Sequence, residues 1–377
     1  LTGAGLLART YVELQRVDPG FDSESVLTFQ LSLPAERYPT PLDVAELTRQ
    51  LDGHLGALPA VSAAGAINQL PLANQPNWST PWKTRQTTDA AESREADARV
   101  VTPGYLRAVA ARLLEGRLFE ASDDENARRV VIVDELLARQ AWPDAPALGQ
   151  EIEVRLWSGR GFEPVWAQVI GVVSHVRHHQ LSQEVRGQIF APFAQGPRNQ
   201  VGVAVRTAID PLRVVGPVRQ QLAAIDPDLA LADVRILADT IASAQGGPRF
   251  RMALAGVVAA LALVLACFGL YSVLALAVAS RRHEIGVRLA IGGTPGDIVR
   301  LFLAHGLRWV LGGAAAGVLA SLAVNRWLES LLYGVATNDA RTLLSVPPVL
   351  MLLALAACYL PARRASQIDP LSTLRCD

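Results

Sequence analysis

The chain has 377 residues, which at roughly 150 residues per domain leaves room for about two domains. Its 35 basic and 35 acidic residues cancel, so no strongly basic domain offers a surface to nucleic acid. The three cysteines, Cys267, Cys358 and Cys376, all lie outside residues 20–245, which excludes a disulfide framework or a zinc-type spacing there.

The opening residues, Leu1-Thr-Gly-Ala-Gly-Leu-Leu, are apolar but far fewer than the ~20 that cross a bilayer. They lack the charged start and cleavage site of a signal peptide. Residues 1–19 are read as the end of a truncated first transmembrane helix and its outer extension; a natural start on a short surface helix is the other reading.

Residues 20–249 carry interspersed charge and read as a water-exposed domain. Val26–Leu33 alternates like a half-buried strand and stops at Pro34. Leu42–Leu58 has helical spacing and Val61–Ile67 is extended. The same order returns in Gln200–Arg206 as strand, Pro211–Ile225 as helix and Leu229–Ile236 as strand. Two strand–helix–strand units at opposite ends predict one discontinuous subdomain with a second inserted into it. The insertion is expected to hold a helix near Pro103–Leu114, a strand at Val130–Val133 leading into a helix at Glu135–Trp142, and a strand at Val165–Val173. The fold class is therefore an α+β outer domain followed by an all-α bundle of three transmembrane helices.

Catalytic and metal chemistry is thin in this domain. His175, His178 and His179 cluster after a strand, but no Cys or carboxylate pattern completes a metal site. Asp123 and Asp124 sit in a polar loop and read as a cap onto Glu125 rather than an ion site. No nucleophile signature of the Gly-x-Ser-x-Gly kind accompanies the Ser, His and Asp residues. Trp78, Trp82, Trp157 and Trp166 are either core residues or exposed contacts for a partner or apolar cargo.

Residues 250–377 change solvent. Three segments, 253–279, 306–324 and 342–360, each reach the length of a bilayer crossing. Arg281, Arg282, Arg288 and Arg300 follow the first, and Arg363, Arg364 and Arg375 follow the third, whereas 325–341 holds only Arg326 and Arg341. Basic flanks favour the cytoplasm, so 280–300 and 361–377 are placed inside, with 325–341 and the large domain outside. Arg308 then snorkels to the inner interface. Small residues at 312–317 allow close helix packing, and Pro347 with Pro348 should kink the third span.

The connector after the first span has its own design. Residues 281–291 read as a short helix in which Arg281, Glu284 and Arg288 share one face, beside an apolar stripe of Ile285 and Leu289. Gly292-Gly293 stops it; Thr294, Pro295 and Asp297 supply the cap, first position and acidic turn of the next helix. Such a helix either rests on anionic lipid or docks a cytoplasmic partner.

The run from Arg281 to Ile298, Arg-Arg-His-Glu-Ile-Gly-Val-Arg-Leu-Ala-Ile-Gly-Gly-Thr-Pro-Gly-Asp-Ile, resembles the first cytoplasmic segment of the FtsX/MacB-type ABC transporter permeases. Cys358-Tyr-Leu-Pro-Ala-Arg-Arg-Ala-Ser-Gln-Ile-Asp-Pro370 is similar to that family's closing motif. Upstream, Arg16–Asp22, Val101–Tyr105, Gly116–Phe119 and Val169–Val173 resemble the outer domain of a subgroup that carries two permease halves in tandem, of which this chain would be the C-terminal half. The resemblance implies a multi-pass protein of the bacterial inner membrane with its large domain extracytoplasmic. It implies a separate cytoplasmic ABC ATPase subunit, a second permease half or copy as dimer partner, and contact with the lipid bilayer. It assigns Arg281, Arg282, Glu284, Ile285, Arg288 and Leu289 to a coupling helix that receives the ATPase's movement. No phosphate-binding Gly-x-x-x-x-Gly-Lys-[Ser/Thr] loop is present, so no catalytic residue, metal or cofactor is expected in the chain itself, ATP being bound by the partner. The implied role is transmission of conformational change for export; a membrane-anchored module that activates an envelope partner is the alternative.

Overall fold

The computed structural model describes residues 23–34, 36–72, 77–86, 94–157, 161–176, 186–244 and 246–281. It also describes scattered positions: 4–6, 8, 9 and 12 near the start, and 294, 296, 300, 304, 307, 308, 310–313, 315–320, 348, 350–353, 355 and 356 in the last third. The chain divides into two units, residues 17–245 and residues 1–16 with 246–377.

In the first unit, β1 (Val26–Ser32), α1 (Pro41–Gly56) and β2 (Val61–Ile67) form one strand–helix–strand passage. The helix starts where the sequence can satisfy its free N–H groups. Thr40 accepts from the Asp43 amide while the Asp43 carboxylate takes the Thr40 amide, and Pro41 occupies the first turn. Val44, Leu47, Leu51 and Leu55 follow at helical spacing and are all buried.

The inserted stretch runs β3 (Ser79–Thr84), β4 (Arg94–Val101), α2 (Tyr105–Ala108), β5 (Leu113–Gly116), β6 (Val130–Asp134), α3 (Glu135–Ala141), β7 (Glu151–Trp157), β8 (Phe162–Val173) and β9 (Gln188–Pro192). The chain then returns through β10 (Val201–Thr207), a 3-10 turn at Pro211–Val214, α4 (Val215–Ile225), β11 (Ala230–Ile236) and α5 (Leu237–Ala244).

The two outer passages interleave in one antiparallel sheet of order β11-β1-β10-β2. The central pair, β1 and β10, runs in continuous register from Val26 opposite Arg206 to Leu31 opposite Val201. One face packs Leu27, Phe29, Leu31, Val203 and Val205 under α1 and α4. The other face gives Val26, Ile67 and Ala204 to a second cluster with Tyr105, Leu106, Phe190 and Leu237. Burial on both faces fits the nearly continuous apolar runs of these strands. Between Thr28 and Gln30 the pairing with β11 slips, and Asp233 takes φ 51°, a bulge that bends the last strand.

The insertion closes on itself. β4 pairs with β3, β3 with β7, β7 with β8, β8 with β6, β6 with β9, and β9 returns to β4. Six strands thus make a ring without a free edge, filled by Trp82, Val131, Val133, Ile152, Val154, Ala167, Val169 and Ile189. One bridge, Ile67 to Val101, joins ring to sheet.

One helix expectation is corrected. Only Tyr105–Ala108 of the stretch 103–114 is helical, and Leu113–Gly116 is a strand against β8. Ala110 at φ 51° ends the helical path after one turn. That turn is wedged against β2: a Cβ on Gly65 would lie 2.0 Å from the Tyr105 amide nitrogen, so glycine alone fits there. The strand expected at 165–173 also begins earlier, at Phe162, where it faces Trp157.

In the second unit α6 (Gly246–Ser280) is 35 residues long. Among the described residues it is the one helix long and apolar enough to cross a membrane. In the second expected span a shorter apolar helix, Val310–Ala320, is described, and in the third only helical positions between 348 and 356. Pro347, expected with Pro348 to kink that third span, lies outside the described residues, whereas Pro348 is helical.

Candidate functional site

The feature of α6 that bears on function is its surface. From Met252 to Ser280 it contains no ionised residue. Leu254, Val257, Leu261, Leu265, Phe268 and Leu276 are all exposed, Leu265 at 71% and Leu276 at 72%. In water a naked apolar cylinder of this kind forfeits about 25 cal/mol for each Å² left wet; in hydrocarbon it costs nothing. At 1.5 Å per residue the uncharged stretch is about 40 Å long, enough to pass a hydrocarbon layer of about 30 Å with some tilt. Its two serine hydroxyls are arranged for such a solvent. Ser272 donates to the Phe268 carbonyl at 2.9 Å and Ser280 to the Ala277 carbonyl at 3.1 Å, so neither needs water. Charges mark the ends: Arg249 and Arg251 are exposed before the stretch, and Arg281 is exposed in the turn that ends it. Of the coupling residues read from the sequence, Arg281 alone is described; Arg282, Glu284, Ile285, Arg288 and Leu289 lie outside the described residues. The next cap is described only at Thr294 and Gly296, the latter helical.

In the outer domain His175 is a structural residue. Its Nδ1 bonds the Asp134 carboxylate, whose other oxygen accepts the Leu137 amide at 2.8 Å and so caps α3. His178 and His179 lie outside the described residues, and among the described residues no three metal-ligating side chains converge. Asp123 and Asp124 do not start a helix. Asp123 is buried and held by both Nη atoms of Arg117, at 2.7 and 2.8 Å. Asp124 accepts the Asn126 and Ala127 amides and closes a turn.

The tryptophans part company. Trp82 is buried in the ring. Trp166 lies under the Arg85 guanidinium, 3.7 Å from its ring centre. Trp78 stays 41% exposed beside Arg198, whose guanidinium lies over both Trp78 and Phe162. The Trp157 side chain is outside the described set.

Three polar residues escaped the sequence reading. Arg99 is wholly buried in β4, donating to the Trp78 and Ala98 carbonyls and to Asn77, with Asp97 at 3.7 Å as its counter-charge. Burial pulls its pKa down, and Asp97 opposes that pull. Asp52 on α1 accepts the Thr102 hydroxyl at 2.7 Å and the Gly104 amide at 3.3 Å, while Thr102 accepts the Ala66 amide at 2.8 Å. By surface area Asp52 is only half-buried, but protein atoms crowd it. That desolvation, only partly offset by the two hydrogen bonds, pushes its carboxyl up to about 7. Arg198 carries a buried Nε that donates to nothing, and burial lowers its pKa as well. No local sequence signal marks any of the three, because β4 itself does not read as a strand.

Comparison with known proteins places these features in a family. A family model described as a MacB-like periplasmic core domain matches residues 9–225, and one described as an FtsX-like permease C-terminal matches residues 256–370. The macrolide export ATP-binding/permease protein MacB of Agrobacterium fabrum is 26% identical over 328 residues, covering 81% of this chain and 48% of its own length. MacB 1/2 of Paracoccus denitrificans is 27% identical, covering 81% and 46%. The pyoverdine export ATP-binding/permease protein PvdT of Pseudomonas aeruginosa is 26% identical, covering 69% and 39%. The chain thus spans less than half the length of these curated relatives. Among solved structures, the periplasmic region of MacB from Actinobacillus actinomycetemcomitans aligns with a TM-score of 0.38 at 13% identity, over 61% of this chain and 96% of that one.

Proposed function

The chain belongs to the FtsX/MacB-type ABC transporter permeases, and from that premise we propose that it transmits ATPase-driven movement across the membrane to its outer domain to export a substrate. The observation that carries the reading is the order of parts. A periplasmic-type core is followed by a bare apolar helix, which ends at Arg281 where the amphipathic connector begins.

In this reading α6 and the segments 306–324 and 342–360 cross the inner membrane, with 280–300 inside and the large domain outside. In the same reading ATP is hydrolysed by a separate cytoplasmic ABC ATPase subunit, the activity that the relatives' name, ATP-binding/permease protein, joins to the permease. Arg281, Arg282, Glu284 and Arg288 meet the ATPase through charge, and Ile285 and Leu289 through apolar contact. A second permease half or copy supplies the symmetric partner of the stroke.

Reversing the central charge by Glu284→Lys is expected to reduce permease-dependent stimulation of ATP hydrolysis several-fold, with membrane insertion unchanged. Full stimulation in that variant removes the docking role. Energised extrusion of a compound or peptide from cells distinguishes export from activation of an envelope partner. A chain that stimulates its ATPase but moves no cargo belongs to the second kind.

A further inference from the structure

Arg198 is built in a way that packing alone does not explain. Its guanidinium carbon lies 3.7 Å from the Phe162 ring centre and 4.6 Å from that of Trp78. Its Nε is sealed from water without an acceptor. Among the described residues no carboxylate pairs with it: Asp97 is taken by Arg99 and Asn77, and Glu95 by Ser79 and Arg186. Arg198 is only partly buried, but a cation held against rings with no counter-charge among the described residues still costs desolvation that nothing there offsets.

The neighbouring aromatic is held in place with equal care. The Trp78 carbonyl accepts the Ala98 amide at 2.9 Å and Arg99 Nη1 at 3.2 Å. Asn77 accepts from Arg99 Nη2 at 2.6 Å and donates to Asp97 at 2.8 Å. The fully buried Arg99 thus pins the two residues whose outer member, Trp78, leaves 41% of its surface open. A stacked guanidinium keeps its planar edge free for an anion, which it binds through paired N–H groups. A fixed indole offers area for an apolar ring at little entropic cost.

We propose that Trp78, Arg198 and Phe162 form a binding site for a small aromatic acid, its carboxylate on the Arg198 edge and its ring on the open part of Trp78. The site lies wholly in the outer domain, so it stands or falls independently of the ATPase-coupled function proposed above.

The test uses the full chain in lipid nanodiscs, with empty nanodiscs subtracted, and naphthoate as the probe, followed by titration calorimetry. Saturable binding in the millimolar range or tighter is expected. It should weaken at least about tenfold, a loss of about 1.4 kcal/mol, in Arg198→Gln and in the surface variant Trp78→Ala. The neutral naphthamide should bind as poorly as naphthoate does to Arg198→Gln. Trp78→Ala decides the matter if Arg198→Gln has a lowered unfolding midpoint. No saturable binding, equal binding of acid and amide, acetate binding as tightly as naphthoate, or undiminished binding to Trp78→Ala each overturns the proposal.

Discussion

The ring-and-sheet domain and helix α6 solve the same problem in opposite ways. In the outer domain Phe29, Val133 and Val203 are at most 1% exposed, and buried polar side chains such as Asp123 and Asp134 are matched to nearby donors. In α6 most of the apolar side chains face outward and the two serine hydroxyls bond back to carbonyls of their own helix. One region makes a dry interior out of its own side chains; the other borrows a dry exterior. The difference teaches that apolar content says little until the direction in which it faces is known.

Three measurements probe that contrast, beginning with the largest effect. Phe29→Ala removes a ring from the cluster under α1 and should cost about 3–5 kcal/mol of outer-domain stability, read as a lower denaturant midpoint by tryptophan fluorescence. An unshifted midpoint means that this cluster is not the core. Leu265→Arg should leave that midpoint alone but cost about 2.5–3.5 kcal/mol in membrane insertion, scored by glycosylation mapping of the span. If it lowers the outer domain's midpoint instead, α6 packs in protein rather than lipid. The smallest effect is on pH dependence. The Asp52 carboxyl sits at about 7 in the fold against an ordinary 3.8, so the folded state holds its proton more tightly than the unfolded chain does. Stability from this group is therefore greatest below pH 4 and declines as pH rises toward 7. Asp52→Asn should flatten that decline in midpoints collected across the interval; an unchanged slope removes Asp52 as its source.

Much of the fold was legible because its signals are local. β1, α1, β2, β6, α3, β10 and β11 begin and end within a residue or two of where alternation, helical spacing and the proline positions place them. The ring was not legible. β4 carries Arg94, Glu95, Asp97 and Arg99, and β3 carries Pro81 at its centre, compositions that local propensity assigns to loops. What makes them strands is closure of β4 on β9, nearly a hundred residues away, an energy no short window contains. The same is true of the polar clusters: Arg198 and Asp52 acquire their character from Trp78, Phe162 and Thr102, all distant in sequence. The coupling residues are the reverse case, readable from a single run of sequence and, Arg281 apart, outside the described structure.

The slip in pairing at Asp233 has a bearing on how this molecule keeps company with its own kind. β11 ends the strand order, and a straight strand there would offer its unpaired backbone groups as a template for neighbouring chains. The bend spoils that template, and the exposed Asp233–Arg235 ion pair puts charge along it. A protein concentrated in the plane of a membrane meets other copies edge-on far more often than one free in three dimensions, so a blunted border guards it against edge-to-edge aggregation.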